Sequence, residues 1–533
     1  MSPERDRSPR PRRRAWRRRL GWGALVAIVV VGGALGVWAI GGAAPRCKAV
    51  PGGQAPDAAT SGRRSAPGAE AAALRPLPPA MPRSVSWIAF GGGAEPASNQ
   101  VSLEQDLGLA ARVLGATGPG VLLFAGGMGA APVQELGRPP PGDPLLATLG
   151  ELLDPRDGRE AHYRPTALHP HGPATAPSVL AAVESALAQR GAGPLVVFAA
   201  AHGQQGNSPR EGALLLWGGA ELSVAELAGR LDAAPGARPL QLVVAACFSG
   251  GFADLAFAQA DPDKGAAPGE RCGLFASTWD REASGCDPNP ERSRQESYAL
   301  HFLNALRGAD RDGRALALAA LDLDGDGRIS LLEAHTRARI ASRSIGVPTA
   351  TSERWLRRTA PRRGPGRPLG LPEEDAVIAA LGRQLAAPDG AAARGIERQL
   401  AARLEGAQQA AAELEDRLDE RQAALRTALL ERWPELGDPW HPDFAATLAR
   451  ERKAVAAFLA RSPLARAYEQ AKRLADEAGA PLDALEAEIS LAHRLVRAHE
   501  TRTLAARLNA RPGQELRRYL ALLACERTVP GKR

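Results

Sequence analysis

The chain has 533 residues, 44% hydrophobic and 24% charged, close to the average of globular chains; this excludes a wholly disordered or multispanning protein. The net charge of +8 is concentrated: nine arginines against Glu4 and Asp6 put +7 into residues 1–19, and the rest is nearly neutral. With that tail set aside no basic domain remains, so no nucleic-acid partner is expected.

In chain order, residues 1–19 read as a basic cytoplasmic tail and 20–44 as a transmembrane anchor. The uncharged run 21–44 would span about 36 Å as a helix, more than the roughly 30 Å of a bilayer core. Arginines before it and almost no charge after it put residues beyond 45 outside the cytoplasm, periplasmic or extracellular. A cleaved signal peptide is the alternative, with Gly41 and Ala43 as a small-x-small site, but its apolar core is usually only about 7–15 residues. Residues 45–83, rich in Pro, Ala, Gly and Ser, read as a flexible linker.

From 84 to 345, short apolar runs alternate with amphipathic helical patterns. The runs are VSWIAF, GVLLFAG, PLVVFAAA, LQLVVAA and GLFAST. This predicts an α/β fold with a mostly parallel sheet sandwiched by helices. A Pro/Gly-rich stretch within 346–374 reads as a second linker. Residues 375–533 read as an all-α region, with Leu404, Ala411, Leu418 and Leu425 seven apart. That seam predicts a helical hairpin or short coiled coil, able to bind a protein partner or self-associate.

Two predicted strands end in reactive residues. PLVVFAAA runs into His202–Gly203, and LQLVVAA runs into Cys247, followed by Phe248-Ser249-Gly250-Gly251. Sites in open α/β sheets form at the carboxyl ends of strands. If these strands are parallel neighbours, an imidazole base and a thiol nucleophile emerge at one edge. Glycines beside them let backbone N–H groups face a substrate carbonyl.

Residues 322–333, Asp-Leu-Asp-Gly-Asp-Gly-Arg-Ile-Ser-Leu-Leu-Glu, have the order of a twelve-residue calcium loop. Asp322, Asp324, Asp326 and Glu333 stand at loop positions 1, 3, 5 and 12, with Arg328 offering its carbonyl and Ser330 its side chain or a water. Ca2+ is the expected cofactor, between an entering helix ending at 316–321 and an exiting one at 331–342. Cys272 and Cys286 are the closest of the five cysteines and the expected disulfide. His162, His169, His171 and His335 lack metal-ligand spacing and read as surface residues.

The block from 84 to 345 resembles the caspase–legumain clan of cysteine peptidases. Ala246-Cys247-Phe248-Ser249-Gly250-Gly251 looks most like the legumain-type and bacterial caspase-like members, and Gly91-Gly92-Gly93, LLFAGG and LWGGAELSVAELAGRLD support it. The resemblance implies a caspase-like fold, with His202 as base or acid and Cys247 as nucleophile. It places the oxyanion hole at the backbone amides of Gly203 and Cys247. Ser277 and Thr278 match a strand lining the specificity pocket, and Asp280 follows it. Ala201 stands where legumains carry Asp, and no third catalytic residue can be matched, so substrate preference does not transfer. The expected protein is a membrane-anchored, extracytoplasmic cysteine endopeptidase acting on protein or peptide substrates. The alternatives are a transpeptidase on the same dyad and an inactive caspase-like scaffold whose helices bind partners.

Overall fold

The computed structural model describes residues 84–129, 133–136, 144–153, 161–190, 193–233, 236–438 and 441–531. Its strands are β1 (Trp87–Gly92), β2 (Gly120–Phe124), β3 (Val133–Leu136), β4 (Ala161–Arg164), β5 (Leu195–Gln204), β6 (Ala213–Leu216), β7 (Ala220–Ser223), β8 (Leu240–Ala245), β9 (Arg271–Phe275) and β10 (Thr349–Ala350). The main sheet has the order β2-β1-β5-β8-β9-β10. Its first five strands are parallel and only β10 is reversed. A β6–β7 hairpin pairs with the far end of β5, and β3 and β4 form a separate ribbon.

The helices are α1 (Val101–Gly115), α2 (Pro144–Leu152), α3 (Ala176–Leu187), α4 (Val224–Ala233), α5 (Tyr298–Leu306), α6 (Leu331–Ala341), α7 (Thr351–Thr359), α8 (Pro372–Gln384), α9 (Gly390–Leu430), α10 (Phe444–Arg461), α11 (Pro463–Asn509) and α12 (Gln514–Glu526). Local chemistry fixes their starts. The Ser297 hydroxyl accepts the Leu300 N–H at α5, and Asp389 accepts those of Ala391 and Ala392 at α9. Ser330 and Glu333 cap α6 reciprocally.

The sheet is buried on both faces, which is why its strands read as unbroken apolar runs. Ala89, Phe198, Ala200 and Leu274 point to one core, with α1, α5, α6, α7 and α12. Ile88, Val197, Ala199 and Val244 point to the other, with α3 and α4. The α/β expectation of a mostly parallel sheet between helices therefore holds, and a largely helical region follows it.

That region does not stand apart. Residues 349–359, expected within a linker, form β10 and α7. Helix α12 lays Leu516, Tyr519, Leu522 and Leu523 into the sheet core, and the described residues fall in one compact unit. Near one end of the hairpin, Leu418 and Leu425 of α9 share a core with Ala465, Tyr468 and Ala475 of α11. Near the other, Ala393 packs with Leu491 and Leu495. The two helices thus run antiparallel, and the seam of Ala411, Leu418 and Leu425 is buried inside this chain.

Two expectations are corrected here. Cys272 bridges Cys525, not Cys286, which is free. Cys272 is the second residue of β9, where α12 packs, whereas the segment carrying Cys286 leaves from the opposite end of that strand. Nearness in sequence was outweighed by a contact across 253 residues. The single-pass membrane assignment also falls: among the described residues no helix is long and apolar enough to cross a membrane. Helices α9 and α11, about 60 and 70 Å long, carry charges along their length. The run 21–44 lies outside the described residues.

Candidate active site

Strands β5 and β8 are parallel neighbours, with Ala199 opposite Val244 and Ala200 opposite Ala245. His202 lies two residues beyond Ala200 and Cys247 two beyond Ala245, so both leave the same carboxyl edge. Alternation carries His202, still within β5, to the α1 side with Val196, Phe198 and Ala200, while Cys247 stands in the turn just beyond β8. Gly203 lies directly against the nucleophile turn. A Cβ there would sit 1.8 Å from the carbonyl oxygen of Cys247, so only glycine fits.

The chain turns sharply after Cys247. Phe248 has φ 56° and ψ 12°, a left-handed conformation that is costly for a bulky residue. A short 3-10 helix, Ser249–Ala256, follows. Gly250 lets it press on the end of β9, since a Cβ there would lie 2.7 Å from the Ser277 carbonyl oxygen.

The half-buried His202 is held from the α1 side. Its Nε2 is 2.9 Å from the Ser98 carbonyl oxygen and 2.9 Å from Gln100 Oε1. Both partners only accept, so Nε2 carries the proton and Nδ1 is left as the base. Burial lowers the imidazole pKa below its usual 6.5, and the Ser98 hydrogen bond partly opposes this. No third residue for this pair could be matched from the sequence alone. Ser98 and Gln100 were missed because they lie about a hundred residues before His202; the available signal was the polar run 98–100 between the β1 glycines and α1.

Cys247 is 8% exposed. Its Sγ donates to the Ala283 carbonyl oxygen at 3.3 Å and accepts the Ala283 N–H at 3.4 Å. Burial, with Cys286 adding, pushes the thiol pKa up to about 12. The thiol is therefore protonated at neutral pH and donates to the Ala283 carbonyl rather than to His202.

The expected pocket residues divide. Ser277 is fully buried; its hydroxyl donates to the Glu282 carbonyl at 3.0 Å and accepts the Val347 N–H at 3.2 Å. It is thus a fastening of the following segment rather than the wall of an open cleft. Thr278 is 8% exposed with no partner for its hydroxyl, and Asp280 is exposed.

At the acidic loop, Asp322, Asp324 and Glu333 each offer an oxygen, and these lie within 4.8 Å of one another. Asp326 is turned onto the Arg328 N–H, and Ser330 caps α6. Glu333 accepts the N–H groups of Leu323 and Ser330. The exiting helix is α6, but the expected entering helix is only a 3-10 turn, Leu318–Ala320. His335, expected at the surface, is buried on α6 against Tyr298, whose hydroxyl is 2.7 Å from its Nδ1.

The chain matches no protein-family model and no curated protein.

Proposed function

We propose that this protein is a cysteine endopeptidase using a His202–Cys247 dyad, as its resemblance to the caspase–legumain clan implies. The observation that supports the reading is the adjacency of parallel β5 and β8, whose carboxyl ends run into His202 and Cys247 at one edge of the sheet. Ser98 and Gln100 supply what the pair lacked, two acceptors that hold the His202 tautomer with Nδ1 free.

In the reaction the thiol turns from Ala283 and gives its proton to His202 Nδ1. The sulfur attacks the peptide carbonyl carbon, and the carbonyl π-bond electrons move to oxygen. Backbone N–H groups of Gly203 and Cys247 are the proposed donors to that oxyanion. Collapse breaks the C–N bond, and His202 gives its proton to the leaving amine. Water, deprotonated by His202, then hydrolyses the thioester. An amine in place of water would make the same site a transpeptidase.

One observation favours the inactive-scaffold reading: a thiol whose pKa stands near 12 and whose proton faces Ala283 is not an activated nucleophile. Reaction of Cys247 with a peptidyl acyloxymethyl ketone, alongside cleavage of a peptide library, separates the two. Cleavage lost in Cys247→Ala and His202→Ala supports the peptidase, and a folded protein that neither cleaves nor reacts is the scaffold. We also propose Ca2+ as the ligand of Asp322, Asp324 and Glu333, whose hard oxygen donors suit it.

A further inference from the structure

Residues 278–287 run past Cys247, with residues 281–283 against the nucleophile turn, and their contacts differ between ends and middle. The ends are fastened to the α/β core. Ser277 anchors the near end: its N–H donates to Ser249 Oγ at 3.2 Å and its hydroxyl accepts the Val347 N–H at 3.2 Å. At the far end, the Asp287 N–H donates to Ser102 Oγ at 2.7 Å, and its carbonyl accepts the Ser102 N–H at 3.3 Å. The middle lies on the chemistry. Ala283 engages the thiol with both its N–H and its carbonyl, and the Arg281 carbonyl accepts the Phe248 N–H at 2.8 Å. A peptide group there fills the space from which a substrate peptide must approach the sulfur.

That middle is tied to the helical hairpin. Arg281 Nη2 lies 2.9 Å from His493 Nε2 on α11, and His493 Nδ1 hydrogen-bonds Glu397 on α9. A guanidinium only donates, so Nε2 accepts and Nδ1–H donates to the carboxylate. The chain Arg281–His493–Glu397 thus joins the segment to both long helices. Helix α11 reaches it a second way: buried Arg494 donates to the carbonyls of Ser342, Ser344 and Gly346, and Ser344 Oγ accepts the Ser284 N–H at 3.1 Å. One electrostatic interaction opposes closure. Glu282 is held above the usual carboxylate range by burial and by Glu486 of α11.

We propose that residues 278–287 are an autoinhibitory cap on Cys247, latched by the helical hairpin through Arg281, His493 and Glu397. The cap rests on the reading of Cys247 as the nucleophile. The structure is then the latent form. Its activator is whatever draws His493 and Glu397 from Arg281, and lifting residues 281–283 about fastened ends, with the Glu282 carbonyl released from the Ser277 hydroxyl, uncovers the sulfur. Gly285, at φ 149°, lies between the latch and the far fastening.

The test is the rate at which iodoacetamide alkylates Cys247 in the full chain, followed by peptide mapping that resolves Cys247 from Cys286. His493→Ala and Arg281→Ala should each raise the rate about tenfold or more, and Glu397→Gln by less, because opening sets exposure. Folding is checked by melting temperature and the intact Cys272–Cys525 peptide. If Arg281→Ala fails to fold, the isosteric Glu397→Gln carries the same comparison. An unchanged rate in the folded variants overturns the cap. Faster alkylation without hydrolysis of a peptide library supports the cap and counts against the peptidase. Hydrolysis by the wild type as fast as by the variants overturns the cap and leaves the peptidase standing.

Discussion

The carbonyl oxygen of Cys247 lies 1.8 Å from where a Cβ on residue 203 would stand. The base strand and the nucleophile turn are therefore in close backbone contact. Gly203→Ala should cost about 3 kcal/mol or more, because the clash is with backbone rather than with a side chain that could swing away. Urea unfolding of the full chain measures this, and a variant within 0.5 kcal/mol (about the scatter of neutral surface changes) would show that the two segments are not so coupled.

Gln100 should act on the reaction through His202. As a base His202 must be neutral, so kcat/KM should rise with pH as its proton leaves, with a midpoint below 6.5. Gln100→Glu puts a carboxylate on the Nε2 proton, stabilises the imidazolium, and should move that midpoint upward by about one unit. Gln100→Ala removes an acceptor and should lower kcat about tenfold. A midpoint indifferent to Gln100→Glu rejects this positioning role, whatever the change in rate.

The sequence made the β5 and β8 pairing readable because both strands are buried apolar runs ending in a reactive residue. It could not show Ser98 and Gln100, since an acceptor reached by tertiary packing leaves no periodicity. Arg494 was hidden for the same reason: an arginine in a helical stretch reads as solvated, yet this one is fully buried on backbone carbonyls. The linker expected at 346–374 was inferred from Pro and Gly at 359–374, but residues just before them supply the reversed edge strand.

The disulfide teaches the same lesson in covalent form. A non-reduced digest should join the peptides carrying Cys272 and Cys525, leaving Cys247 and Cys286 free to alkylate. Cys525→Ser opens a crosslink spanning 253 residues and should destabilise the fold by roughly 4–5 kcal/mol, less where the unfolded chain stays compact. Recovery of a Cys272–Cys286 peptide instead would reject the pairing.

At the acidic loop, Ca2+ should raise the melting temperature by binding only the folded loop. Glu333 also holds the Leu323 and Ser330 N–H groups, so Glu333→Gln weakens the α6 cap even without metal. Asp324→Asn is the cleaner variant because Asp324 is exposed and accepts only the Asp326 N–H. It should lose most of the Ca2+-dependent shift while its metal-free melting temperature stays close to wild type. A wild type indifferent to millimolar Ca2+ would remove the site.

Glu526 gives the protein a stability that falls as pH rises. Its carboxyl is buried beside Cys525, and Ser352 donates to it from both its N–H, at 2.8 Å, and its hydroxyl. Burial outweighs those bonds and pushes the pKa up to about 8, with Glu373 and Glu353 adding to the rise. In the unfolded chain the same group titrates near 4.3. Between those values the folded state holds a proton that the unfolded state has lost, so each unit of rising pH removes stability, at most about 1.4 kcal/mol. The loss is complete above pH 8, where both states are ionised. Glu526→Gln keeps the shape and cannot ionise. The variant should match wild type near pH 4 and exceed it by up to a few kcal/mol at pH 9, on the order of the full shift. Other groups titrate in both proteins, so the difference between their urea midpoints isolates this carboxyl. A difference that does not grow from pH 5 to pH 9 would mean that Glu526 is ionised in the fold, with Ser352 dominating over burial.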